Sequence, residues 1–229
     1  MIKIRHSEER GPADHGWLQS RHTFSFAGYY DPEHMGVSVL RVINDDKVAP
    51  GRGFGTHSHQ DMEIISYVKK GAIEHKDSMG HIETLPAGDF QLMSAGTGVT
   101  HSEYNPSKTE PLEFLQIWVI PNVYGIKPEY QQKRFEIQQG LQLIASPDNR
   151  EGSLLIHQDA YLYRLRLNAD QDCSHSLADG RTVYVHVVSG VVTVNGERLS
   201  EGDGASINDI DAVKFSGVQS SEALVFDLP

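Results

Sequence analysis

Interruption constrains the fold of this chain most: long stretches of 3.6-residue periodicity are scarce, and the apolar residues come in short stretches broken by Gly, Pro, Asn and Asp. Val37 to Asn44, Asp61 to Val68, Glu113 to Ile120, Ala160 to Leu167, Thr182 to Val188 and Val191 to Val194 are rich in β-branched and aromatic residues. Such residues fit a pleated, half-buried surface. Turn sequences stand between these stretches: Asp77-Ser-Met-Gly80, Pro86-Ala-Gly88-Asp89, Asn195-Gly196 and Gly202-Asp-Gly204. Asn195-Gly196 is the strongest hairpin signal, because both central positions of a type I′ turn need φ > 0. The expectation is an all-β sandwich or barrel, with one short helix near Pro128 to Phe135.

A length of 229 residues suits two compact β domains or one large one. A weak internal echo favours two. Gly80, five residues, then Pro86-Ala-Gly88 resembles Gly196, five residues, then Gly202-Asp-Gly204, and each follows a strand-like run that begins near a glycine, Gly71 or Gly190. The seam is expected in the polar stretch from Pro121 to Gln139.

With 38% apolar and only 22% charged residues, the chain can fill a core. Its formal charge of −11 has no compensating Lys/Arg block, which opposes close approach to a phosphate backbone and argues against direct nucleic-acid binding. No apolar run is long enough to span a bilayer, and Met1-Ile-Lys-Ile-Arg-His6 lacks the apolar core of a signal peptide. The expected location is the cytoplasm, with no membrane contact. No feature demands a dimer, so a monomer is expected. Cys173 is the single cysteine, which rules out an internal disulfide and a cysteine-based zinc cluster. Any metal must be held by nitrogen and oxygen.

Nitrogen and oxygen donors occur in a pattern. His57-Ser-His59 and His101-Ser-Glu103 are two pairs with the same spacing, and on a β-strand each pair sends both side chains to one face. Two such strands side by side would make a four-ligand site of three imidazoles and one carboxylate, suited to Fe(II), Mn, Co, Ni, Cu or Zn. A 2+ ion there keeps a net charge of +1, and octahedral geometry leaves two positions open, which favours catalysis over a closed structural site. A single such pair on an exposed strand commonly binds nothing; the repetition separates this case from that one. Glu63 shares strand parity with His57 and His59, so spacing leaves the choice between Glu63 and Glu103 open. His6, His15, His22, His34, His75 and His81 lie near polar or turn residues and read as surface or hydrogen-bonding histidines. Nine of the twelve histidines precede Pro121, so a metal site belongs to the first half.

Gly51, five residues, His57-Ser-His59, three residues and Glu63 resemble the first cupin motif, and Gly80, five residues, Pro86-Ala-Gly88 resemble the start of the second. The usual cupin has a histidine three residues further on, where this chain has Gln91. The pirin family of the cupin superfamily replaces that ligand with a later H-x-E pair, and His101-Ser-Glu103 after Gly96-Thr-Gly98 matches it. Trp17-Leu-Gln-Ser-Arg-His22-Thr-Phe-Ser-Phe26, Tyr29-Tyr-Asp-Pro32, Leu40-Arg-Val-Ile-Asn-Asp45 and the ending Leu224-Val-Phe-Asp-Leu-Pro229 also resemble pirins.

The resemblance implies two tandem cupin domains, a metal-binding one over 1–125 and a degenerate one without metal over 126–229. It implies metal ligands at His57, His59, His101 and Glu103, with iron as the usual ion. It further implies a quercetin 2,3-dioxygenase activity that opens a flavonol ring with O2 and releases carbon monoxide, with Glu103 as ligand and base in turn. Gln116, Phe54 and Met62 are candidate substrate contacts; core packing or a structural hydrogen bond is the plainer role for each. The alternative reading is a metal-binding protein that acts as a redox-sensitive partner of a transcription regulator or an enzyme. Metal binding is expected to weaken toward acid pH as imidazoles protonate, at about 6.5 when unperturbed.

Overall fold

A computed structural model describes residues 1–229 and contains strands, turns and two short 3-10 segments. Twelve strands lie before residue 135: β1 (Ile2–Arg5), β2 (Gly11–Asp14), β3 (Leu18–His22), β4 (Leu40–Val48), β5 (Gly53–His59), β6 (Glu63–Lys70), β7 (Ala72–Asp77), β8 (Ile82–Pro86), β9 (Asp89–Ser94), β10 (Val99–Tyr104), β11 (Leu112–Val119) and β12 (Glu129–Arg134). Ten follow: β13 (Gly140–Ser146), β14 (Leu154–Leu155), β15 (Tyr161–Leu167), β16 (Asp172–Ser176), β17 (Thr182–Ser189), β18 (Val191–Val194), β19 (Glu197–Ser200), β20 (Gly204–Ile207), β21 (Ala212–Gly217) and β22 (Ser221–Leu228). Each of the six strand-like stretches read from the sequence contains a strand, with β4 starting at Leu40 and β6 at Glu63. No helix is long and apolar enough to cross a membrane.

The chain divides into two units. The first, Gly11–Phe135 with Ile156–Gln158, has a seven-stranded sheet in the order β12-β9-β6-β11-β4-β3-β2 and a four-stranded sheet in the order β5-β10-β7-β8. Its two sheets share a core: Val48, Val68, Leu112 and Phe114 of the larger pack with Ile73 and Leu85 of the smaller. The second, Met1–Arg10 with Glu136–Leu155 and Asp159–Pro229, repeats the plan as β1-β20-β17-β22-β15-β13-β14 and β16-β21-β18-β19. The units therefore differ from halves cut at 125/126, because the first ten residues, 126–135 and 156–158 lie on the other side of that cut.

The predicted helix near Pro128 to Phe135 is instead the edge strand β12, paired along its whole length with β9 from Glu129↔Ser94 to Arg134↔Asp89. A sheet edge offers this segment one backbone bond partner after another, whereas a helix of that length is marginal alone. The Asn195-Gly196 hairpin forms as expected between β18 and β19, with φ of 49° and 89°.

The interiors of the two units differ. In the second, Val183, Val185, Val187, Val192, Val194, Leu199, Val213, Phe215 and Val225 form one continuous apolar cluster. In the first, polar side chains and a cavity interrupt the apolar filling.

Candidate metal centre and cavity

Strand pairing assembles the centre. β5 and β10 are antiparallel neighbours, with Val99 opposite His59 and His101 opposite His57. The register then shifts, so that Glu103 faces Phe54. This bulge puts three residues of β5 against two of β10 and re-aims the strand next to the site. On its other side β10 meets β7, with His101 opposite Asp77 and Glu103 opposite His75. Side chains alternate along β10, and Val99, His101 and Glu103 are the buried ones.

Three imidazoles face one another, with ring centroids 4.8 Å apart for His57–His59, 4.5 Å for His57–His101 and 4.9 Å for His59–His101. The Nε2 atoms of His57 and His101 are 3.1 Å apart. His57 Nδ1 lies 2.8 Å from the Gly55 carbonyl, which can only accept, so the proton sits on Nδ1 and the Nε2 lone pair points inward. His59 Nε2 and His101 Nδ1 are buried without a hydrogen-bond partner. Ligand atoms of all three rings lie within 4.8 Å of one another. With the His57 Nε2 lone pair and the unpartnered His59 Nε2 beside His101, the three rings make a nitrogen donor set that suits a cation. Burial pushes His101 down to about 3 and His59 to about 4, with the neighbouring imidazoles adding to the effect. These two rings are thus neutral, as ligation requires.

Glu103 is 2% exposed and accepts hydrogen bonds from Ser66 Oγ at 3.3 Å and Gln116 Nε2 at 3.1 Å. Burial pushes its carboxyl up to about 7 against the lowering effect of those two bonds. It groups with His101 and His75 rather than with all three imidazoles of the first cluster, so His101 belongs to both sets. Glu63, the rival carboxylate in the sequence, lies outside both sets. It accepts from Ser94 Oγ at 2.9 Å and from the His157 backbone N–H at 3.2 Å.

In the sequence His75 reads as a surface or hydrogen-bonding histidine. Hydrogen-bonding it is, but it is fully buried: its Nε2 lies 3.0 Å from Asp77 Oδ2, and its ring 5.3 Å from that of His101. His81 Nδ1 approaches the same Asp77 oxygen at 2.9 Å. Burial would raise Asp77, but the bonds from His75 and His81 hold it below the usual range. The available signal was His75-Lys-Asp77, a third pair at two-residue spacing on the strand beside β10.

Next to the imidazoles lies a cavity of about 380 Å³. Trp17, Phe26, Phe54 and Trp118 supply aromatic walls, and Ser20, His22, Asn44, Asp46 and Gln116 supply polar lining. Of the candidate substrate contacts, Phe54 and Gln116 line it. Met62 does not, packing instead against the cluster of Ile64, Met93, Ala95 and Val99. The lining residues missed in the sequence sit at alternate positions of β3, β4 and β11. In register, His22, Asn44, Gln116, Ser66, Gln91 and Gln132 form one polar row across six strands. Each reads alone as an isolated polar residue; only strand pairing aligns them.

Comparison with known proteins agrees with this architecture. The family model described as Pirin matches residues 3–119, and that described as Quercetinase C-terminal cupin domain matches 143–228. The chain is 56% identical to quercetin 2,3-dioxygenase of Escherichia coli (strain K12), covering 100% of this chain and 99% of that protein. It is 39% identical to a pirin-like protein of Caulobacter vibrioides, with 99% of each covered. The crystal structure of YhhW from Escherichia coli superposes with a TM-score of 0.99 at 56% identity, covering 100% of this chain and 98% of that one. A second crystal structure, of bacterial pirin YhhW in complex with nickel(II), gives 0.98 at 55% identity, covering 100% and 99%. The chain therefore belongs to the pirin family, with two cupin domains, and is a quercetin 2,3-dioxygenase-like enzyme along its whole length.

Proposed function

We propose that this chain is a metal-dependent dioxygenase that opens the heterocyclic ring of flavonols such as quercetin with O2 and releases carbon monoxide. We assign one divalent transition metal to His57, His59, His101 and Glu103. Fe(II) is foremost, and Mn, Co, Ni, Cu and Zn suit the same donors. The observation that carries this reading is the convergence of three imidazoles, two with unpartnered buried nitrogens, beside an aromatic-walled cavity. The name of the Escherichia coli relative and the nickel(II) complex of its structural neighbour support it.

When bound, such an ion supplies a Lewis acid for the enolate oxygen of a 3-hydroxy-4-ketone. The chain's own residues do the rest. Phe54 and Trp118 flank a flat ring, and the aromatic walls keep bulk water from it. Glu103 takes the proton of the 3-hydroxyl. A carboxylate held inside a buried pocket is a suitable general base for such a proton. Ser66 and Gln116 hold it in place by donating to its two oxygens. We place the protein in the cytoplasm as a monomer acting on a small aromatic substrate, without direct nucleic-acid contact.

Anaerobic incubation of Fe(II)-loaded protein with quercetin, followed by admission of oxygen, tests this. The expected result is loss of the flavonol absorbance with release of carbon monoxide. No loss at confirmed metal occupancy would overturn the enzyme reading and leave the metal-binding partner of a regulator as the better one.

A further inference from the structure

The dioxygenase reading leaves one motif without a task, Ser25-Phe26 with Tyr29-Tyr30-Asp31-Pro32. It belongs to residues 23–39, a strap that joins β3 to β4 and contains two isolated bridges but no strand. A connection longer than roughly 12–15 residues costs entropy to order and is uncommon in a compact unit unless it serves a site. Here one side chain orders it. Asp31 Oδ2 accepts from the Tyr29 hydroxyl at 3.1 Å and lies 2.8 Å from His34 Nδ1, while Oδ1 accepts from the Glu33 N–H at 3.0 Å. Ser25 is tied to the same residue: its Oγ donates to the Asp31 carbonyl at 2.9 Å and accepts from the Asp31 N–H at 2.8 Å. Arg41 Nη1, on β4, donates to the Ser25 carbonyl at 2.9 Å and pins the strap to the sheet.

Rings carry that order inward. A Cβ on Gly11 of β2 would meet the Tyr29 ring at 2.3 Å, so the bare backbone there is the seat on which Tyr29 lies. Tyr29 stacks on His22 with ring centroids 6.3 Å apart, and His22 lies 5.3 Å from Phe26. Phe26 meets Trp118 edge-on at 5.4 Å, and Trp118 meets His59 edge-on at 5.0 Å. His22, Phe26 and Trp118 line the cavity, whereas Tyr29 and Asp31 stand outside it. Phe26 is the one lining side chain that the strap supplies, so its position depends on how the strap is latched and not on strand pairing. We propose that Asp31 is a positioning residue: from outside the cavity it holds Tyr29 and Phe26 in place, and so fixes an aromatic wall against which a flat ligand packs. The inference rests on the dioxygenase reading for the nature of that ligand; the measurements below separate the two.

A double-mutant cycle tests it. The chain's only two tryptophans, Trp17 and Trp118, both line this cavity, so quercetin binding to metal-loaded protein is measured by their quenching without oxygen. Phe26→Ala and Asp31→Ala are each expected to weaken binding about tenfold, and the double variant by no more than about twofold beyond Phe26→Ala. Additive losses, on the order of a hundredfold in the double variant, overturn the proposal, because Asp31 then acts independently of Phe26. Wild-type affinity in either single variant overturns it as well, as does failure of the wild type to bind quercetin. Metal occupancy of Asp31→Ala by elemental analysis should equal that of the wild type; its loss would move the effect to the imidazoles and overturn the proposal. In ligand-free protein Asp31→Ala should raise acrylamide quenching of tryptophan emission, since Phe26 then leaves the Trp118 edge, and unchanged quenching counts against the latch. Tyr29→Phe keeps the ring on its seat and removes one donor to Asp31, and it decides the matter should Asp31→Ala not fold. Its expected effect is about threefold weaker binding that vanishes in the Phe26→Ala background; persistence there overturns the proposal. Admission of oxygen to the same samples judges the other reading: quercetin bound with non-additive losses but never consumed would sink the dioxygenase and keep the latch, whereas turnover with additive losses would do the reverse.

Discussion

His57 keeps its proton on Nδ1 because the Gly55 carbonyl accepts it there, and that one bond turns a generic histidine into a ligand with a fixed tautomer. His57→Ala and His101→Ala are each expected to lose stoichiometric metal by elemental analysis. Glu103→Gln should bind it more weakly, while Glu63→Gln, whose carboxylate serves Ser94 and the His157 backbone, should keep it. The pH expectation from unperturbed imidazoles needs revision. His59 and His101 lie at about 4 and 3, so these two rings compete little with metal above pH 5, whereas Glu103, at about 7, adds a competing proton between pH 5 and 8. Metal affinity should fall as the pH drops below 7, and Glu103→Gln should remove that part of the dependence, read by titration calorimetry. Asp46 gives a stability prediction of opposite sense to a usual carboxylate. Burial, with Asp45 and Glu103 adding to it, raises its carboxyl from 3.8 to about 7. The folded chain therefore holds a proton that the unfolded chain releases; the stabilising contribution is full below 3.8 and is lost as the pH rises through 7. Asp46→Asn should raise the denaturation midpoint at pH 8 more than at pH 5, with a gain on the order of 2–4 kcal/mol at the higher pH.

Strands carry the site because a two-residue spacing puts like-directed side chains at each step, and β5, β7 and β10 each carry such a pair. His57-Ser-His59 and His101-Ser-Glu103 are legible in the sequence for this reason. What spacing does not reveal is which strand lies beside β10. His75-Lys-Asp77 is a pair of the same spacing, but that β7 lies beside β10, with His75 opposite Glu103 and Asp77 opposite His101, became visible only through pairing. Close approach matters too. A Cβ on Gly53 would meet the Glu103 carbonyl oxygen at 2.2 Å and Tyr104 Cα at 2.5 Å, backbone atoms that move only if β5 and β10 separate. Gly53→Ala should therefore cost about 1–3 kcal/mol or more in chemical denaturation and lower metal occupancy, since it displaces the strand that bears Glu103.

At the scale of the whole chain, the two units share a strand order, and the edge position filled by β12 in the first is filled by β1 in the second. β1 pairs with β20 from Ile2↔Ile207 to Arg5↔Gly204, and Ile2 and Ile4 pack on the apolar cluster of that unit. Removing residues 1–10 should lower the stability of the second unit by roughly 2–4 kcal/mol, measured by denaturation with a probe in that unit. The echo around Gly80 and Gly196 predicted the repeat because turns and β-branched runs are local signals. It could not predict the exchange of an edge strand, which depends on contacts some two hundred residues apart. The sequence by itself determined the β class, the hairpin at Asn195-Gly196, the family resemblance and the two donor pairs, all properties of spacing within a few residues. Only the tertiary structure decided that Glu63 serves Ser94 and His157, that Met62 packs away from the cavity, and that Asp46 lines it, because register brings together side chains from strands that no local spacing relates.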